Sequence, residues 1–370
     1  MKTQDYHKTI GIAGAGQLGQ MMILESRGLP LKFNVYCESP NDPAAKLADK
    51  VFGPENYKEF VNESDVVTFE FEHINPKLIN YAESKGKLRP SYKSVALKME
   101  RHKEKEFLRG NNFPVGDFII ANGGKEALLN SRKWEKFVIK TSTGGYDGKG
   151  QYYWNDLKEF PESSDEIFVV EKFIQFQYEA SIICARDIQH KIYFFEPSFN
   201  YNRKGILISN IAPLDDKKVT ERIKEISRDL LNALEYIGVM GIEFFITEDG
   251  PIINEYAPRV HNTGHHTLMG SSISQFEFHI RAVANLPLFK PETYRPSGIV
   301  NIIGINLSEE QLTEILSLGN TRVYDYGKSP VKRKRKMGHV CITANSNDEL
   351  RETQKRVITI LYEAGIDNFI

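Results

Sequence analysis

The chain has 370 residues, is 41% hydrophobic and 26% charged, and carries a formal net charge of −1 at pH 7. That length predicts two or three domains with their own cores, and the composition is that of a soluble globular protein. No apolar run approaches the roughly 18 residues of a membrane span, and a charge near zero supplies no overall field for nucleic acid. Met1 to Lys8 is polar and runs straight into a strand, without the apolar core of a signal peptide. Cys37, Cys184 and Cys341 are far apart and have no metal-ligand spacing. That suits buried thiols in a reducing compartment, and a cytoplasmic location is expected.

Thr9–Ala13 reads as a buried strand, Gly14-Ala15-Gly16-Gln17-Leu18-Gly19 as a turn, and Gln20–Arg27 as a helix stopped by Gly28. A glycine turn between strand and helix aims backbone N–H groups at a phosphate, which could belong to a substrate or to NAD. Glu38, after the strand Phe33–Tyr36, lies roughly where a dinucleotide fold places its ribose carboxylate. Alternatively, the glycines only let strand and helix pack closely. Asp65–Phe69 reads as a strand extending through Glu70-Phe71-Glu72, so Glu70 and Glu72 would share one face. They are either ligand-facing carboxylates at a strand end or solvated edge charges. Alternating strands and helices to about Ser94 predict a parallel, doubly wound unit.

Val95–Arg109 reads as one charged helix with a solvated face, Arg101 among its cations. A compact β-α-β series follows. Within it, Lys140-Thr-Ser-Thr-Gly-Gly-Tyr-Asp-Gly-Lys-Gly-Gln151 separates the strands Phe137–Ile139 and Tyr152–Trp154. Glycines and two lysines suit a flap closing on phosphate. It is not a P-loop, because Gly148-Lys149 is followed by Gly150 and then a strand. After another strand, Ile167–Ile174, come short antiparallel strands and an amphipathic helix, Val219–Tyr236.

Gly241–Ile246 and Pro251–Glu255 flank a turn at Glu248-Asp249-Gly250. A turn centred on Asp249 sets Glu243 opposite Glu255, with Cβ atoms about 4.5–5.5 Å apart. Such carboxylates repel unless a cation lies between them, and magnesium takes one or two carboxylates plus phosphate oxygens. A solvated acidic pair in another register is the alternative. Arg259, His261 and Asn262 follow in irregular chain. Towards the C-terminus, Lys332–Lys336 is read as part of a hairpin whose inward cations meet a phosphate.

Taken together, these stretches resemble the ATP-grasp superfamily, and within it the N5-carboxyaminoimidazole ribonucleotide synthetase family. The resemblance rests on Gly14–Gly19, Glu70-Phe71-Glu72, Gly144–Gln151, Asn254–Asn262, Ser274-Gln275-Phe276-Glu277 and Arg335–His339. It implies an α/β (α+β overall) ATP-grasp fold. Residues 1–98 would form a Rossmann-like parallel-sheet domain and 99–176 a small mobile lid. Residues 177–370 would form a mixed or antiparallel C-terminal domain, with a subregion at about 297–370. It also implies ATP- and bicarbonate-dependent carboxylation of 5-aminoimidazole ribonucleotide through carboxyphosphate, by a homodimer using magnesium but neither NAD nor biotin.

By the same resemblance, Arg101, Lys140, Gly145 to Gln151 (with Tyr146, Asp147, Gly148, Lys149 and Gly150), Glu171, Lys172, Phe173, Ile174, Glu179, Asn202, Asn254 and Glu255 would contact ATP. Glu243 and Glu255 would hold the metal. Arg259, His261, Asn262 and Lys328 would serve catalysis. Gln17, Glu72, Tyr146, Asp147, Lys328 and Arg335 would face the nucleotide acceptor. The chain departs from the family pattern at Ser142, where relatives carry arginine, at Asn202, where histidine is common, and at His266, where an aromatic residue is frequent.

Overall fold

The computed structural model describes residues 7–144, 150–363 and 365–370. The first sheet is parallel: β1 (Lys8–Ala13), β2 (Leu31–Tyr36), β3 (Lys50–Phe52) and β4 (Val66–Phe69) run in the order β3-β2-β1-β4. Helices α1 (Gln17–Ser26), α2 (Tyr57–Asn62) and α3 (Pro76–Ser84) accompany it. Ile10, Ile12, Phe33, Val35 and Val67 are almost wholly buried, as strands covered on both faces require.

Two departures from the sequence reading occur here. β4 stops at Phe69, and Glu70 to Glu72 form a bend, so the two glutamates part company. The single charged helix is instead two, α4 (Tyr92–Met99) and α5 (Arg101–Gly110), broken where Glu100 is extended at φ −129°, ψ 108°. Nor is its face solvated. Glu104, Lys105 and Leu108 are buried, with Leu108 in the core beneath the large sheet.

β5 (Phe118–Asn122), α6 (Gly124–Ser131), β6 (Phe137–Thr141), β7 (Gln151–Tyr153) and β8 (Ile167–Lys172) build a separate antiparallel sheet, ordered β5-β8-β6-β7. It has its own small core of Ala121, Ala127, Phe137, Ile139, Phe168 and Val170.

The largest sheet holds β9 (Tyr178–Arg186), β10 (Ile192–Phe194), β11 (Ser198–Arg203), β12 (Ile206–Ala212), β13 (Gly238–Thr247), β14 (Gly250–Ala257), β15 (Ser297–Ile303), β16 (Thr321–Asp325) and β17 (Lys336–Thr343). Its order is β14-β13-β9-β11-β12-β15-β17-β16, with β10 on β9. Helix α7 (Lys217–Ala233) buries Ile223, Ile226, Leu230 and Leu231, the face its 3.6-residue period predicts. A short α8 (Thr267–Gly270) precedes α9 (Gln275–Ala284), and α10 (Glu309–Ser317) and α11 (Asn347–Leu361) pack near the C-terminal strands. Phe276, Ile280 and Val283 of α9 share one core with α1 and β1, fixing the parallel sheet against the large one.

The hairpin β13–β14 is the element the site depends on. Thr247 pairs with Gly250, so the turn is the two-residue Glu248-Asp249 and is not centred on Asp249. Continued regularly, that register would set Glu243 opposite Asn254. A bulge between Glu243 and Phe244 shifts it by one residue and pairs Glu243 with Glu255. The expected pairing is present, but a bulge produces it.

Candidate active site

A cleft of about 960 Å³ opens between the three sheets. It is lined by Gln17, Glu72, Arg101, Lys140, Gln151, Glu171, Lys172, Phe173, Ile174, Glu179, Asn202, Glu243, Asn254, Glu255, Arg259, His261, Asn262, Lys328 and Arg335. Gly150, at φ +65°, is not in the lining; its carbonyl accepts from Thr141 N at 2.9 Å. Gly145, Tyr146, Asp147, Gly148 and Lys149 lie outside the described residues.

One end of the cleft is a buried cationic cluster. Glu171 Oε2 lies 3.0 Å from Lys140 Nζ and 3.5 Å from Lys105 Nζ. Burial alone would raise the Glu171 carboxyl, but the two lysines outweigh it and hold it at about 2. The same burial lowers Lys140, with Arg101 and Lys105 adding repulsion that Glu171 does not fully offset. Both partners shift down, which favours the charged form of Glu171 and disfavours that of Lys140, because one carboxylate serves several cations. The surplus positive charge suits an anion with several oxygens, as a polyphosphate has. Lys105 and Glu104 escaped the sequence reading, although Arg101, Glu104 and Lys105 stand at i, i+3 and i+4 on one helical face. Ser142, where a cation was expected, ties down that helix start. Its Oγ is 2.6 Å from His102 Nδ1 and its carbonyl accepts from Arg101 N at 2.8 Å.

Glu243 and Glu255 face each other across the hairpin. Lys98 Nζ lies 3.3 Å from Glu255 Oε2, with Arg101 at 3.9 Å. Burial would raise Glu255, yet these cations hold it well below the usual carboxylate range. Burial and the Glu255 charge push Glu243 up to about 8. A pair in which one carboxyl resists ionisation suits a hard divalent cation. Among the described residues no cluster of three or more His, Cys, Asp or Glu side chains suited to a metal occurs, so the remaining oxygens would come from bound phosphate or water.

Arg259 grips Glu72 by Nε–Oε2 at 2.6 Å and NH2–Oε1 at 3.3 Å. Glu72 therefore orients Arg259. His261 stays neutral, because burial and the Arg259 charge push it down to about 3. Asn262 is 8% exposed, and neither its Oδ1 nor its Nδ2 has a partner among the described residues. Nearby, Asn202 donates to Glu179 Oε2 at 2.7 Å, so the amide that stands where histidine was expected restrains Glu179. Phe176 and Phe245 stack at 4.6 Å on the cleft wall, a slab that sequence periodicity did not single out.

The glycine turn differs from its reading. Glu70 accepts from Gly16 N in a short hydrogen bond and from Gly19 N at 3.0 Å. A Cβ at Gly14 or Gly16 would collide with the Glu70 side chain. The glycines thus admit a carboxylate from the protein itself to the N–H groups that a phosphate would otherwise take. Glu38 is exposed, away from the cleft. His266, another departure, is buried with Nδ1 3.5 Å from Ser297 Oγ. The three cysteines are free and buried, and no described helix is long and apolar enough to cross a membrane.

Comparison with known proteins fits this geometry. Residues 7–99 match a ribonucleotide synthetase preATP-grasp domain, 106–276 an ATP-grasp domain, and 297–353 a phosphoribosylaminoimidazole carboxylase C-terminal domain. The chain is 45% identical to an N5-carboxyaminoimidazole ribonucleotide synthase of Saccharolobus solfataricus over 370 residues, 98% of each chain. The phosphoribosylaminoimidazole carboxylase ATPase subunit of Aquifex aeolicus superposes with a TM-score of 0.83 at 40% identity, over 95% of this chain and 99% of that one. An N5-carboxyaminoimidazole synthase of Aspergillus clavatus, solved with ADP and 5-aminoimidazole ribonucleotide, gives 0.87 at 25% identity over 96% and 99%. With its fold, cleft and near full-length relatives in agreement, the chain belongs to the N5-carboxyaminoimidazole ribonucleotide synthase family of ATP-grasp ligases.

Proposed function

We propose that this enzyme carboxylates the amine of 5-aminoimidazole ribonucleotide at the expense of ATP, with bicarbonate as the carbon source. The observation that carries the reading is one cleft holding an oriented Arg259, an unpartnered Asn262 amide and the facing pair Glu243–Glu255. Bicarbonate is a poor electrophile. Attack of its oxygen on the γ-phosphorus of ATP expels ADP and gives carboxyphosphate. The acceptor amine then attacks the carboxyphosphate carbon, phosphate leaves, and the amine proton is lost. Phosphoryl transfer asks a protein mainly for alignment and charge neutralisation.

Lys140, Lys105 and Arg101 would take the phosphate oxygens. Ile174 and the Phe176–Phe245 slab would cover the base, and Glu179, restrained by Asn202, would accept from the ribose. Lys172, Phe173, Asn254, Gln151 and Gly150 complete the expected ATP contacts. Glu243 and Glu255 would hold a magnesium ion, which when bound supplies charge neutralisation at the phosphates. Arg259 would pair with bicarbonate, and Asn262 would donate and accept around it. Neutral His261, pushed down to about 3 and so too weak a base for the amine proton, would hydrogen-bond to the bicarbonate, and the departing phosphate would take the proton. Lys328 and Arg335 would meet the acceptor's phosphate, with Gln17, Tyr146 and Asp147 beside it. The proposed division into residues 1–98, 99–176 and 177–370 makes sheet β5-β8-β6-β7 the part that shuts water out. A cytoplasmic homodimer completes the reading.

The test is phosphate release from ATP by the purified protein. Release should require magnesium, bicarbonate and 5-aminoimidazole ribonucleotide together. Equal ATP turnover with and without the aminoimidazole nucleotide would overturn the proposal.

A further inference from the structure

Two motifs behind the cleft lining have as yet no role: Ser274-Gln275-Phe276-Glu277 and the His339 end of Arg335–His339. Both reach the site from behind. Gln275 is fully buried at the start of α9. Its Oε1 accepts from His261 N at 2.9 Å, and its Nε2 donates to His261 O at 2.6 Å. The side-chain amide thus closes a ring on the backbone of His261, one residue from Asn262. Gly264 leaves room for this, since a Cβ there would sit 2.4 Å from Gln275 Oε1. Gln275 Nε2 also points to His265 Nδ1 at 3.3 Å.

From His265 the contacts run on. Its ring lies 4.4 Å from that of His339, which stacks on Tyr324 at 4.7 Å and 7°. His339 Nδ1 is 2.7 Å from the Tyr326 hydroxyl, and Lys328 Nζ sits 5.1 Å above the Tyr326 ring. Gln275, His265 and His339 are fully buried and Tyr326 is 1% exposed. The Gln275 amide nitrogen can only donate, so His265 Nδ1 accepts. The bond between the Tyr326 hydroxyl and His339 Nδ1 holds with either group as donor, according to the His339 tautomer.

We propose that Gln275, His265, His339 and Tyr326 form a buried positioning relay that sets two loops of the cleft in register: the one carrying Arg259–Asn262 and the one carrying Lys328. Gln275 is the positioning residue for the first loop and Tyr326 for the second. Neither touches a reactant. A side chain that fixes a peptide in both donor and acceptor senses leaves its neighbours no freedom to tilt, and a misplacement of about 1 Å at a reacting group can cost on the order of 100-fold.

The inference rests on the carboxylation reading, and wild-type protein tests that reading first: absent bicarbonate dependence would sink the function, whatever the variants do. The relay is then tested with Gln275→Glu and Tyr326→Phe. Gln275→Glu keeps the acceptor for His261 N–H and loses the donor to His261 O. It should raise KM for bicarbonate by about 10-fold or more, leaving KM for ATP and the affinity for ADP within about 2-fold. Tyr326→Phe removes one hydroxyl from a residue expected to fold unchanged. It should raise KM for the aminoimidazole nucleotide several-fold and, because the two loops are held in register, KM for bicarbonate by a smaller factor, with KM for ATP within about 2-fold. Unchanged constants in Tyr326→Phe, or a uniform rise for every substrate in both variants, would overturn the relay.

Discussion

Replacing Glu72 by glutamine isolates the charge of one contact, the grip on Arg259. Glu72 and Arg259 side chains are 11% and 14% exposed and meet through two hydrogen bonds, the shorter 2.6 Å. Breaking a wholly buried pair costs about 3–5 kcal/mol, and a hydrogen bond to a charged group is worth roughly 1.5–3. Glutamine keeps the shape and one acceptor, and the cleft admits some water, so the loss should be about 2 kcal/mol. At roughly 2–4 °C per kcal/mol, thermal unfolding at pH 7 should begin about 4–8 °C lower. Differential scanning calorimetry reads this directly.

The pH dependence has a definite sign. Burial raises the Glu72 carboxyl, but Arg259 outweighs burial and leaves it below its ordinary value of 4.5. A lowered folded-state value means that the contribution is complete above 4.5 and is lost as the pH falls further. The gap between wild type and Glu72→Gln should therefore narrow below pH 4.5. Equal midpoints at pH 7 would refute the idea that Glu72 is a structural counter-ion for Arg259.

Three further outcomes are expected. Glu255→Gln should abolish phosphate release while the protein stays folded by circular dichroism, because it removes a charge from the Glu243–Glu255 pair; retained full activity would take Glu255 out of the metal site. His279, fully buried, accepts from Val239 N at 3.0 Å through Nδ1 and bonds Thr68 Oγ1 through Nε2. Burial pushes it down to about 3, so the unfolded chain takes up a proton first and stability falls as the pH drops below about 6.5, by about 1.4 kcal/mol per unit for this residue; His279→Gln should flatten the slope of the unfolding free energy from urea titrations against pH by that amount. Asn202→Ala should leave Glu179 without its 2.7 Å partner and raise KM for ATP several-fold, with KM for bicarbonate unchanged in steady-state assays.

Local sequence pattern carried most of the elements and the family. Buried strands, the period of α7 and the acidic hairpin are local patterns, and each is found close to where its pattern lies. Glu243 and Glu255 were legible as a pair because a hairpin is also local. Even there, the register needed a bulge that no residue type announced. The tertiary structure alone decided which partner each polar side chain meets. Glu70 closes the glycine turn that a phosphate was expected to fill, and Glu72 turns away to Arg259, 187 residues further on. Helix α5 reads as solvated by its charge content, yet it buries Glu104 and Lys105 because Lys98, Glu171 and the backbone of Asn254 and Tyr256 arrive to satisfy them. Periodicity reports which face of an element is apolar. It carries no information about a counter-charge brought from a distant segment, and here that counter-charge separates a solvated face from a buried one at the edge of the cleft.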